Sequence, residues 1–219
     1  MRNIEIINGS RDTDGTYFGH IKGVPKPKEL IEKTMAAAES RGADFTGITI
    51  KSSDYHDESS YGFILIGRPV IYLQGVDLIA DCAWYSNAIR GLYEKLNIDG
   101  TLADRANNVV ESIVRTLLHE YCHLKTLDVM GDYLAGGFDS RFTEYIDHVA
   151  KMRKGGPEAL LQLDDRNRNG EIGEWIAEDY RLLLDPNSPY HNSNSITQDL
   201  LYPYLAADRR DYLKGALGL

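Results

Sequence analysis

The chain has 219 residues, 42% of them hydrophobic and 26% charged, enough for one large domain or two small lobes with a buried core. Its formal net charge of −9 argues against a dedicated nucleic-acid binder, because no extended basic surface is there to neutralise phosphates. With only two cysteines, Cys82 and Cys122, it is no disulfide scaffold.

The opening residues, Met1 to Ile7, lack the long apolar stretch of a signal peptide, and no later run approaches the length of a membrane span. The expected location is the cytoplasm, without membrane partners; export by a non-classical route would look the same. Ile4 to Ile7 reads as a strand, stopped by Asn8-Gly9-Ser10. Pro25 and Pro27 introduce a helix from Glu29 to about Ser40, ended by Gly42. Three strand-like segments follow, Phe45 to Lys51, Tyr61 to Ile66 and Val70 to Leu73, the last two joined by a corner at Gly67-Arg68-Pro69.

Beyond Gly75 the spacing turns helical. One helix is expected over Leu78 to Leu96 and another over Leu102 to Leu127, with Val110, Ile113, Val114, Leu117, Leu118, Tyr121 and Leu124 as its apolar stripe. Asp139 or Ser140 caps a third helix to about Lys154, which Gly155-Gly156-Pro157 ends. A loop and helix occupy Asp165 to Leu184, and a last helix runs from Ile196 to about Leu213. Residues 1–154 are expected to form the core, and 155–219 a helical C-terminal region packed on it.

The second of these helices carries His119-Glu120-Tyr121-Cys122-His123, an H-E-x-x-H pentapeptide. Histidines at i and i+4 stand one turn apart on one helix face, where both can hold one metal ion. The glutamate between them reaches a water on that metal, the arrangement used by zinc peptidases of this motif. Catalytic zinc takes three protein ligands and keeps one position open, so a third ligand must come from elsewhere. Cys122 points about 100° away from His123 around the helix and reads as a packed core thiol.

From about Val70 to Ala150, these elements resemble the gluzincins, thermolysin-like metallopeptidases, and compact cytosolic peptidases in which a glutamate on the next helix follows the motif. The resemblance implies Glu144 as third zinc ligand, with Asp128, Asp132, Asp139 and His148 as alternatives. It implies an α+β, zincin-like fold: a small N-terminal mixed sheet with an edge strand, the motif helix, the glutamate helix and a helical C-terminal region. By the same resemblance Val70 to Leu73 is the edge strand that aligns an extended peptide. Where those families place Asp or Asn four residues after the glutamate, this chain has His148, with Asp147 one position earlier.

The implied reaction is peptide-bond hydrolysis, with Glu120 as general base toward a zinc-activated water and a protein or peptide as substrate. A second electrophile normally steadies the tetrahedral oxyanion. His148 and Tyr145 are the candidates carried forward, beside Tyr133, Tyr190 and His191. The alternative is a catalytically inactive zincin scaffold that keeps the metal and serves in interaction. A di-iron protein would need a second E-x-x-H pair, which the chain lacks.

Asp165, Asn167, Asn169, Gly170 and Ile172 resemble the opening of an EF-hand calcium loop at positions 1, 3, 5, 6 and 8. Glu171 would supply its carbonyl at position 7. Ile176 stands at position 12, where a bidentate acid belongs, so Glu174 or Glu178 would have to substitute. Two readings stand side by side: calcium as a second cofactor in a stabilising role, or a polar turn held by Asn and Gly without metal.

Overall fold

The structure, a computed structural model, describes residues 3–7, 27–53, 62–74, 87–88, 90–106, 108–153, 156–189, 199 and 203–219. Cys82, Tyr190 and His191, with most of the helix expected from Leu78, lie outside the described residues. The chain divides into two units, Met1–Tyr121 with Asn187–Pro189, and Cys122–Pro186 with Tyr190–Leu219. The division falls inside the motif helix, not at the glycine-rich break after Lys154.

In the first unit, β1 (Asn3–Ile7), β2 (Thr49–Ser53), β3 (Gly62–Ile64) and β4 (Val70–Gln74) form one four-stranded mixed sheet in the order β1-β2-β4-β3. β1, β2 and β4 run parallel, and β3 is antiparallel to β4. Alternation sends Ile50, Ile71 and Leu73 to a buried face, while Lys51 and Tyr72 point to the other, where Lys51 pairs with Glu5 and Tyr72 stacks on Phe63. α1 (Pro27–Glu39) adds the buried Leu30, Ile31, Met35 and Ala38.

Two sequence expectations change here. The strand expected from Phe45 starts at Thr49, because Asp44 caps Thr46 N–H in a turn that passes through Gly47 at a φ of 77°. β4, expected at the edge, is interior; among the described residues β3 is the edge strand on its far side.

The single helix expected from Leu102 to Leu127 is two: α2 (Gly100–Ala106) and α3 (Val109–Met130). Asn108 causes the break, its side-chain oxygen accepting the Glu111 N–H as an N-cap does. Residues 90–95 are helical, within the helix expected up to Leu96.

The second unit is helical: α4 (Tyr133–Gly136), a 3₁₀ turn at Ser140–Phe142 capped by Asp139, α5 (Thr143–Met152), α6 (Gly156–Leu161), α7 (Asp165–Leu184) and α8 (Pro203–Leu217). Phe142, Tyr145, Val149, Leu160, Ile172, Ile176 and Leu213 make its core. No helix among the described residues is long and apolar enough to cross a membrane.

Candidate metal centre

Among the described residues α3 is deeply buried, every residue from Ser112 to His123 being shielded from solvent. Its expected stripe supplies the reason: Ile113, Val114, Leu117, Leu118 and Tyr121 are in the core, and Tyr121 is fixed further by an edge contact to Phe45 and by its hydroxyl accepting the Asp44 N–H. His119, Glu120 and His123 are therefore presented from a rigid backbone.

Glu120 lies against β3. A methyl group at Gly62 would fall 3.0 Å from Glu120 Cγ, 3.0 Å from Thr116 Cγ2 and 3.2 Å from the Tyr72 carbonyl oxygen. The glycine thus lets the strand approach the helix where the motif glutamate leaves it.

One turn beyond His119 on the same helix, His123 Nε2 lies 3.2 Å from Glu174 Oε1. The ligand atoms of His119, His123 and Glu174 all fall within 4.8 Å of one another, the one such group among the described residues. Around tetrahedral zinc, with bonds near 2.1 Å, neighbouring donors stand about 3.4 Å apart. The His123–Glu174 separation already matches, and the Glu174 side chain, 65% exposed, has room to adjust. Two imidazoles and one carboxylate are a donor set that zinc accepts, so the residues fit the ion.

Glu174, not Glu144, is the acid that lies with the two motif histidines. Glu144, the glutamate implied by the gluzincin resemblance, is exposed at the start of α5 and is not part of the group. Asp128, Asp132, Asp139 and His148 are not part of it either. Asp132 caps α4, and Asp139 caps the 3₁₀ turn while binding Arg141, which holds its carboxyl below the usual range.

Tyr145 and His148 are occupied elsewhere. Tyr145 is fully buried and donates its hydroxyl to Asp179 Oδ2 at 2.8 Å, so it has no exposed face for a substrate. Burial and the neighbouring Asp179 carboxylate push its pKa well above the ordinary value. His148 has Nδ1 2.9 Å from the Glu144 carbonyl oxygen and its ring 4.7 Å from that of Tyr212.

The segment read as a calcium loop is helical. An EF-hand loop folds its ligands inward around a sharp turn. Here α7 begins at Asp165, capped by Asp164, whose side chain accepts the Asn167 N–H at 3.0 Å. Asp165 pairs with Arg168, Asn167 binds Asp164, Asn169 donates to the Tyr133 carbonyl, and Glu171 pairs with Arg153. The five proposed ligands are spread around a regular helix, and only Glu174 joins a possible metal group.

The sequence reading named Glu174 within a calcium loop, and the structure places it beside the two motif histidines instead. The usable signal was the helical spacing of Ile172, Ile176 and Asp179, all buried, behind a capping aspartate. No family model, curated protein or solved structure matches this chain.

Proposed function

We propose that the chain is a zinc-dependent peptidase in which His119, His123 and Glu174 hold the metal and Glu120 is the general base. The observation that carries this reading is the meeting of both motif histidines with Glu174 at one point, beside Glu120 on the same buried helix. A bound zinc ion would supply Lewis acidity toward a carbonyl oxygen and bring a water's pKa near neutrality. Glu120 takes the proton of the attacking water and passes it to the leaving amine. Gly62 keeps the space in which the Glu120 side chain lies. The mixed sheet beside the motif helix supports a zincin-like assignment of the fold, and the substrate class is peptide or protein.

Metal analysis of the purified chain and hydrolysis of casein, in wild type, Glu120→Gln and Glu174→Gln, test the reading. Glu120→Gln should keep zinc and lose at least about a hundredfold in rate, the scale of a missing general base. Glu174→Gln should lose zinc. Equal hydrolysis by wild type and Glu120→Gln overturns the peptidase. Zinc without hydrolysis of any peptide tested leaves the inactive scaffold.

A further inference from the structure

The Asn-Gly sequence that resembles a calcium loop has another use in the fold. Gly170 and Gly173 stand three residues apart on one face of α7, in the interior of a helix where glycine is the poorest choice after proline. That face receives α4. A methyl group at Gly173 would fall 2.6 Å from Tyr133 Cζ, 2.7 Å from Cε2 and closer still to the hydroxyl oxygen, and one at Gly170 would touch Leu134 at 3.7 Å. Asn169, buried one turn before Gly173, donates its side-chain N–H to the Tyr133 carbonyl at 2.9 Å. The Tyr133 ring is backed by Phe138, stacked at 5.1 Å between centroids.

Tyr133 follows the motif helix after a turn through Gly131 at a φ of 67°. The residue after Gly173 is Glu174, whose own carboxylate is mostly exposed. The backbone that carries it sets where that side chain starts, and on the residue before it Tyr133 lies in the space a methyl group on Gly173 would need.

We propose that Tyr133, seated on Gly173 and tied by Asn169, is a positioning residue that sets where α7 delivers Glu174, and so sets metal affinity. This rests on the His119, His123 and Glu174 ligand set proposed above, but not on peptide hydrolysis. A methyl group at position 173 forces the ring away and moves the residue next to it. Trimming the ring removes the conflict.

The test is competitive zinc titration of the full chain against a chelator, with the cobalt(II) absorption spectrum as a readout of the ligand sphere. The thermal midpoint of the metal-free protein is followed alongside. Gly173→Ala should weaken zinc binding at least tenfold and alter the cobalt spectrum, whereas helix propensity alone would favour alanine. Tyr133→Leu combined with Gly173→Ala should regain most of the lost affinity, because leucine lacks the clashing atoms. Asn169→Ala keeps the ring and should weaken zinc severalfold, which serves if Gly173→Ala does not fold. Wild-type affinity in Gly173→Ala or, should that variant not fold, in Asn169→Ala overturns the proposal, as does a double variant that folds without recovery. Absence of zinc binding in wild type overturns it together with the ligand set. Zinc bound tightly by a protein that cleaves nothing removes the peptidase reading and leaves this one standing.

Discussion

The two helices that carry His119, His123 and Glu174 are supported in opposite ways. α3 holds His119 and His123 by apolar packing, with Ile113, Val114, Leu117 and Leu118 all fully buried. α7 holds Glu174 on a helix whose buried positions include charges: Glu178 with Arg181, and Asp179 with Arg209. Asp179 receives Arg209 at 2.6 and 2.7 Å, Arg210 at 3.1 Å and the Tyr145 hydroxyl, while Asp199 takes a third bond from Arg209. Trp175 lies under the Arg209 guanidinium at 4.7 Å. Burial alone would lower the Arg209 pKa, but the Asp179 and Asp199 carboxylates outweigh it and raise it. Apolar support weakens in proportion to the atoms removed. Ionic support in a dry interior fails abruptly, because losing one partner strands the other.

Asp179→Asn should give the largest departure between the two helices. It keeps size and shape but leaves Arg209 short of a charge, in a site where both side chains are only 1% exposed. A loss of about 3–5 kcal/mol in urea unfolding is expected, against about 0.5–1.5 kcal/mol for Ile113→Val on α3. A loss no greater than that of Ile113→Val would end the contrast.

A smaller effect sharpens it from the other side, since the apolar helix has charged fixtures too: Arg115, fully buried and bonded to Ser112, and an acid at its start. Glu111, in the first turn of α3, takes a bidentate pair from Arg41, both bonds at 2.7 Å, and another bond from Arg105 at 3.0 Å. Burial pushes the Glu111 carboxyl up, yet the two guanidinium groups more than reverse this and hold it below its ordinary value of 4.5. A folded-state value below the unfolded one means this stability is complete above the ordinary value and is lost as pH falls through the depressed one. Unfolding free energy should therefore fall below about pH 4.5, by about 1–3 kcal/mol from this group. Glu111→Gln should lower stability at neutral pH and flatten that acid limb. An unchanged limb would assign acid sensitivity to other carboxylates.

The contrast also explains what the sequence made legible. Apolar periodicity is a direct readout of burial, so α3, its stripe and the two histidines were readable before any fold was known, as were β1, α1 and the β3–β4 corner. Asn108 was missed as a cap because helical spacing continues across it. α7 was misread for a related reason: its buried positions include Asn169, Glu178, Asp179 and Arg181, which by composition look like a solvated loop. Their partners lie far away in sequence, Tyr133 for Asn169 and Arg209 for Asp179, and no local pattern announces such pairs. Gly170 looked like a turn because nothing nearby in sequence showed that α4 packs on that face of the helix, with Leu134 at Gly170 and the Tyr133 ring at Gly173.

The smallest expected effect decides between the ligand set implied by resemblance and the one proposed above. Glu144 and Glu174 are both exposed glutamates on helices after the motif, and only their placement separates them. The His148 ring contacts the Glu144 backbone carbonyl, so Glu144→Gln leaves that interaction intact and removes only the carboxylate charge. Zinc affinity in Glu144→Gln should stay within about twofold of wild type. Outer-sphere partners of metal ligands typically cost about 10–100-fold when lost, and a true ligand more. A tenfold loss in Glu144→Gln beside an unaffected Glu174→Gln would restore the gluzincin ligand set. It would also make the ionic architecture of α7 a matter of folding alone.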